Sequence, residues 1–357
     1  MLSSSSSRRR EERAIARSEI RIALDVMGGD LGPAEPIAGA VQAAREDGVQ
    51  VLLVGRRAVV EAELARQRDL PPGLEIVDAA DVVEMSDQPA QAVRAKPDSS
   101  LVVGIAQVRS GRASGFVSPG NSGAVMVAAL LGLGRIRGVE RPAIATPFPT
   151  LHGHCLLCDI GANPDCRPEQ LVQFAIMGSA YVERVFDRPR PRVGLLSNGE
   201  EDSKGNALVR ETHPLLRESG VNFVGNVEGN DIFQHLADVV VMDGFTGNVM
   251  LKVAEGSGAF VAELIKQEAR RNPLGMLGGL MMKPAFARVR RRIDYDEYGG
   301  GPLLGVDGIC IIAHGRSNAK AIRSALRVAR HAAETGLPDA IRTGISAHPS
   351  VLVAAKE

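Results

Sequence analysis

Residues 20–55 read IRIALDVMGGDLGPAEPIAGAVQAAREDGVQVLLVG. An apolar, partly β-branched run (residues 20–26) ends in the turn Gly28-Gly29-Asp30, a segment of helical period follows over residues 34–46, and a second apolar run fills residues 49–55. Strand, loop, helix, strand is the unit from which parallel sheets flanked by helices are built. The rest of the chain repeats it. Strands are expected at residues 20–26, 49–55, 74–79, 114–118, 154–161, 191–199, 221–226, 238–244 and 307–315, and helices at residues 34–46, 99–109, 122–132, 167–185, 207–218, 247–270 and 317–335. Several strands are almost wholly apolar, as required where helices cover both faces. The pattern predicts a three-layer, doubly wound α/β fold with a mostly parallel sheet over residues 19–346 and a cleft at the carboxyl ends of the strands.

Three stretches depart from that rhythm. Residues 1–18 combine a serine run with arginines and offer almost nothing to bury, which predicts a disordered tail. Glu11 and Glu12 weigh against a transit peptide there. Residues 347–357 form a short C-terminal tail. Between them, residues 270–297 hold Leu277, Leu280 and Met281 among arginines and predict a protruding helical hairpin that packs on a second copy of the chain or contacts a membrane.

Composition narrows the classes further. Lys and Arg total 42, as do Asp and Glu, so no global field draws nucleic acid or an anionic membrane. Aromatic residues make up 3%, too few to interleave with the basic cluster for base stacking, which argues against nucleic-acid binding. Four cysteines are too few for a disulfide scaffold in a chain of 357 residues, which predicts a reducing, cytoplasmic setting. The longest run free of both charge and strong polarity, residues 123–134, falls short of the ~20 residues that span a bilayer. Cys155 and Cys158 stand three apart on an expected strand and therefore face opposite sides, so they are not read as a zinc pair and no metal site is assigned.

The polar residues that carry chemistry cluster directly after expected strands. Gly28 and Gly29 follow the first. Asn121 and Ser122 open a helix, Asn163 follows residues 154–161, the loop 198–206 holds Asn198, Gly199, Lys204, Gly205 and Asn206, and Gly247 and Asn248 follow residues 238–244. Glycines let the backbone approach a ligand, and free N–H groups at a helix start favour an anion such as phosphate. Any one such loop is equally explained by turn geometry. Lys204 is either a solvated loop charge or a ligand to that anion, and Asn248 either a helix cap or a donor. No G-x-G-x-x-G follows the first strand, and Lys204 precedes its glycine rather than following one as in a P-loop, so no nucleotide cofactor is expected.

ALDVMGGDLGP, KPDSSL, SPGNSGA, CDIGAN, VGLLSNGEEDSKGN, VGNVEGNDI and DVVVMDGFTGNVMLK, in that order, resemble the phosphate acyltransferase family of bacterial phospholipid synthesis. The similarity runs from Ile20 to Gly344. It implies a fold of the isopropylmalate dehydrogenase and phosphotransacetylase type, a homodimer, and reversible transfer of long acyl chains from acyl carrier protein to inorganic phosphate without a cofactor. It implies a catalytic role for Lys204 in EEDSKGN and for Asn248 in DGFTGN, and peripheral contact with the membrane, where an integral glycerol-3-phosphate acyltransferase takes the product. Pro119 and Ser122 stand where many members carry Ala and Thr; Asn230 stands where arginine is frequent, which puts a role for position 230 in doubt. Two rival readings remain: a dehydrogenase or phosphotransacetylase on the related fold, and a non-catalytic sensor that binds acyl carrier protein and docks on membranes.

Overall fold

The computed structural model describes residues 20–271, 273–293 and 299–348. The expected N-terminal tail, the hairpin's last residues 294–297 and the C-terminal tail from residue 349 lie outside the described residues, as do the side chains of Arg290, Arg291 and Arg292. Strand β1 (Arg21–Asp25) alternates as its period of two requires: Ile22 and Leu24 enter one apolar layer and Ala23 the other, all fully buried. The elements that follow are α1 (Ala34–Asp47), β2 (Gln50–Gly55), α2 (Arg57–Ala65), β3 (Leu74–Asp78), α3 (Pro89–Ala95), α4 (Ser100–Arg109), β4 (Gly115–Ser118), α5 (Ser122–Gly132), β5 (Ala143–Thr150), β6 (Gly153–Cys158), α6 (Pro168–Val185), β7 (Arg192–Leu196), α7 (Ala207–Glu218), β8 (Asn222–Val227), α8 (Gly229–Gln234), β9 (Val239–Val241), α9 (Gly244–Ala269), α10 (Pro273–Ile293), β10 (Gly301–Leu304), β11 (Cys310–Ile312), α11 (Ala319–Glu334) and α12 (Leu337–Ser346). Helices α1, α6, α11 and α12 cover one face of the sheet, and α3, α4 and α5 cover part of the other.

The sheet has 11 strands in the order β3, β2, β1, β4, β11, β10, β5, β6, β9, β7, β8. The first five are mutually parallel, as are the last four. Between them β10 and β5 are antiparallel to each of their neighbours. Three successive reversals leave the two parallel blocks running in opposite directions. The sheet is therefore mostly parallel and covered on both faces, as expected, but the strand ends do not share one edge. The carboxyl ends of β1, β4 and β11 lie at one edge, and those of β6, β9, β7 and β8 at the other.

Both reversing strands are absent from the expected set, and proline is the reason. AIATPFPT in β5 places Pro147 and Pro149 beyond Ala143 and Ile144, the residues that pair with β10, so neither removes a donor from that ladder. In β10, GPLL is four residues long. Cys155 and Cys158 do point into different apolar layers, and burial pushes the Cys155 thiol up to about 12.

Helix α9 is buried only at Gly244 and Gly247. Beyond Ala254, which still packs on the core, it leaves the body, and α10 packs back against it, so α9 supplies the first arm of the hairpin, which begins well before residue 270. Phe260, Leu264, Leu277, Leu280 and Met281 are all exposed on it.

The start of the second block is fixed by one carboxylate. Asp238, just before β9, accepts hydrogen bonds from Arg192 N at 2.8 Å, Arg192 Nε at 3.0 Å and Arg188 Nη1 at 3.0 Å, and lies 3.0 Å from His235 Nε2. Burial pushes its pKa up, but the Arg192 hydrogen bonds and charge with those of Arg188 outweigh that and hold it well below the usual carboxylate range. A depressed carboxylate contributes stability that is present above its unfolded pKa of about 4 and lost as pH falls towards its folded value. Asp238→Asn therefore lowers unfolding free energy by roughly 2 kcal/mol at neutral pH, and its stability falls less steeply below about pH 4. Urea unfolding across that range checks this; parallel acid limbs for the two proteins would refute it.

Candidate active site

The chain leaving β6 is organised by Asp159, which follows the apolar run of that strand. Its Oδ1 accepts from the N–H groups of Ile144, Gly161 and Ala162, each at 3.1 Å. Its Oδ2 accepts from Asn163 N at 2.7 Å and Asn163 Nδ2 at 2.9 Å. The carboxyl is fully buried, and burial raises its pKa against the lowering pull of those donors. Asn163 is itself spent in this loop, since its Nδ2 also donates to the Pro142 carbonyl at 2.8 Å.

Helix α9 begins against that loop because two of its residues have no side chain. A Cβ on Gly247 would lie 2.0 Å from the Asp159 carbonyl oxygen, and one on Gly244 2.8 Å from Asp159 Oδ2. Asp243 caps the helix, accepting from Thr246 N at 2.9 Å and Thr246 Oγ1 at 2.7 Å. The close approach sets Asn248 over Gly161: a Cβ there would come within 2.9 Å of Asn248 Nδ2. Asn248 is half-buried, and its amide hydrogen-bonds to nothing among the described residues.

Lys204 stands on the loop that leaves β7. Because β9 lies between β6 and β7, this loop opens at the same edge, and two strand spacings of about 5 Å separate it from the Asp159 loop. Lys204 N donates to the Glu201 carbonyl at 2.9 Å, Gly205 N to Asn198 Oδ1 at 2.9 Å, and Asn206 caps α7 by accepting from Val209 N at 3.0 Å. Asn198 and Asn206 thus build the loop. A Cβ on Gly199 would lie 2.7 Å from Lys204 Cγ, so the glycine is the surface along which the lysine stem runs. Lys204 is exposed, and its ammonium has no hydrogen bond or ion pair among the described residues.

Gly28, Gly29, Asn121 and Ser122 sit at the other edge, where β1 and β4 end. Asp25 Oδ1 accepts from Met27 N and Gly28 N, both at 3.0 Å, while its Oδ2 accepts from Ser118 Oγ at 2.8 Å. Gly120 N donates to Ser118 Oγ at 3.0 Å. Asn121 caps α5 through Ala124 N at 3.1 Å and donates to the Met85 carbonyl at 3.0 Å. The Gly28 and Gly120 amides are therefore used internally. Of the expected site residues, the structure groups Asn163, Asn198, Gly199, Lys204, Gly205, Asn206, Gly247 and Asn248 on one edge and the remaining four on the other.

Sequence reasoning passed over the organising role of Asp159, although an acid ending an apolar strand before Gly161 was the available signal. Glu200, Glu228 and Asp231 bring carboxylate oxygens within 4.8 Å of one another. A capping box at the start of α8 accounts for the nearness of Glu228 and Asp231.

Two opposed parallel blocks joined through antiparallel strands make the fold of the phosphotransacetylases. A phosphotransacetylase from Streptococcus pyogenes matches with a TM-score of 0.63 at 15% identity, covering 90% of this chain and 98% of that one. The EutD phosphotransacetylase from Staphylococcus aureus matches with a TM-score of 0.57 at 16% identity, covering 88% and 94%. The sequence is more specific. The family described as "Fatty acid synthesis protein" matches residues 20–340. The phosphate acyltransferase of Desulfitobacterium hafniense (strain Y51) is 49% identical over 324 residues, covering 90% of this chain and 96% of that protein. The phosphate acyltransferase of Elusimicrobium minutum (strain Pei191) is 49% identical over 334 residues, covering 93% and 98%. The chain belongs to the phosphate acyltransferase family.

Proposed function

We propose that the protein transfers a long fatty-acyl group from the thioester of acyl carrier protein to inorganic phosphate, giving the acyl-phosphate used to make phosphatidic acid. The observation that carries this reading is the pair of unconsumed polar side chains, Lys204 on the loop after β7 and Asn248 near the start of α9, both at one edge of the sheet. A thioester is already activated, and phosphate near neutral pH presents an ionised oxygen, so the residues need only position and stabilise charge. A phosphate oxygen attacks the thioester carbonyl carbon. The tetrahedral oxyanion forms, its C–S bond breaks, and the carrier's sulfur leaves as a thiolate that takes a proton from water. Lys204 neutralises phosphate charge or the developing oxyanion, and the Asn248 amide donates to the same intermediate.

The test is incubation with palmitoyl-carrier protein and phosphate. Phosphate-dependent loss of thioester with appearance of acyl-phosphate is expected; turnover confined to acetyl-coenzyme A, a nicotinamide-dependent absorbance change, or binding without turnover would each replace the proposal. The acting unit is a homodimer.

No helix among the described residues is long and apolar enough to cross a membrane. The exposed Leu277, Leu280 and Met281 on α10, near the basic Lys283 and Arg288, suit an interfacial contact through which acyl-phosphate reaches an integral glycerol-3-phosphate acyltransferase from the cytoplasmic side. Leu277→Glu with Met281→Glu is then expected to abolish flotation with anionic liposomes while leaving turnover of the soluble thioester within about twofold. Undiminished flotation would assign the hairpin to the dimer contact instead.

A further inference from the structure

We infer that Arg137 and Arg141 form the docking surface for an acidic carrier protein, which the charge pattern along the site's edge brings in from the β5 side. The inference rests on the carrier-thioester reading above and adds where the donor binds. Residues 134–142 run along the same edge as Lys204 and Asn248, beneath β10 and the start of β5. Ile136 N donates to the Gly305 carbonyl at 2.9 Å, and Pro142 takes the Asn163 amide at 2.8 Å. Arg141 is thus the residue next to the one that clamps the Asp159 loop, the loop on which Asn248 rests.

Arg137 and Arg141 are exposed, and neither guanidinium has an ion pair or hydrogen bond among the described residues. The acid in the same stretch does not neutralise them. Glu140 is 9% exposed and is occupied by Arg167 and by Gln170 Nε2 at 3.1 Å, while Arg135 turns onto the Glu140 carbonyl. Asp165 is the exposed carboxylate in the neighbouring loop. Across the site, the β7 and β8 ends carry mainly the opposite sign: Glu200 and Glu201 are exposed, with Glu228 and Asp231 beside Glu200, while Asp202 is paired with Arg217 at 2.8 Å and the Arg210 guanidinium turns onto the Gly205 carbonyl. Lys204 and Asn248 lie between an arginine flank and a carboxylate flank. An acidic protein is attracted to the first and repelled by the second, which fixes the direction from which its thioester arm enters.

The double variant Arg137→Glu with Arg141→Glu tests this in two measurements. Binding of acyl-carrier protein, followed by fluorescence anisotropy at low salt, is expected to weaken about tenfold or more and to lose most of its salt dependence. Turnover of the same acyl group on pantetheine, which has no protein surface, is expected to stay within twofold. Arg109→Glu, at the end of α4 in the other block, controls for a general change of charge and is expected to bind normally. Unchanged carrier binding by the double variant, or an equal loss in Arg109→Glu, overturns the docking surface. Carrier binding that depends on Arg137 and Arg141 without any wild-type turnover overturns the acyl-transfer reading and leaves the surface standing.

Discussion

Lys204→Ala is expected to lower kcat for palmitoyl-carrier protein and phosphate by about a hundred- to a thousandfold, a loss of about 2.7–4 kcal/mol of transition-state stabilisation. The expectation follows from where the loop spends its hydrogen bonds. Asn198, Asn206 and the Lys204 main chain hold residues 198–206 together, and the ammonium takes no part in that holding. Its removal should cost the fold within about 0.5 kcal/mol. The charge is therefore free to act on a ligand, and Gly199 aims it. Gly199→Val supplies an independent check: the added side chain meets the lysine stem, so it should reproduce much of the loss with Lys204 still present. If Lys204 and Asn248 serve one oxyanion, Asn248→Ala costs a similar amount and the double variant less than the product of the two. Near-normal kcat for Lys204→Ala at saturating substrate would remove the lysine from the chemistry.

The parallel blocks were legible because their strands are apolar throughout and their helices periodic: VQVLLVG and the segment over residues 34–46 leave little choice. β5 and β10 were hidden, and with them the direction of half the sheet. Local patterning reports that a segment is extended; it carries no information about which way its neighbour runs. Lys204 and Asn248 thus share one edge, whereas Gly28 and Asn121, similar as loop sequences, stand at the opposite edge. Asn163 shows the same limit at the level of one side chain. An asparagine after a strand is equally a ligand or a clamp, and the hydrogen bonds to Pro142 and Asp159 make it a clamp.

Asp159→Ala is expected to lose about 2–6 kcal/mol of unfolding free energy, from two buried donors left unpaired at about 1–3 kcal/mol each, and the activity with it. The carboxylate is the acceptor for N–H groups from Ile144, Gly161, Ala162 and Asn163 and for the Asn163 amide. Gly161 and Ala162 lie near enough to solvent to recruit water, but Ile144 N and Asn163 N belong to the packed junction of β5 and β6, where an unpaired donor costs about 1–3 kcal/mol. Asp159→Asn keeps one acceptor oxygen and should fall between the two. Its pH dependence separates loss of charge from loss of shape. Burial raises the folded pKa of Asp159, so the wild type gains stability as pH falls through that value and the isosteric amide does not. The wild-type advantage over Asp159→Asn is therefore largest near pH 4 and smaller near pH 7. Denaturant titrations at both pH values measure it. An advantage that grows towards neutral pH would mean that the N–H donors outweigh burial, so that Asp159 is held as a stabilised carboxylate.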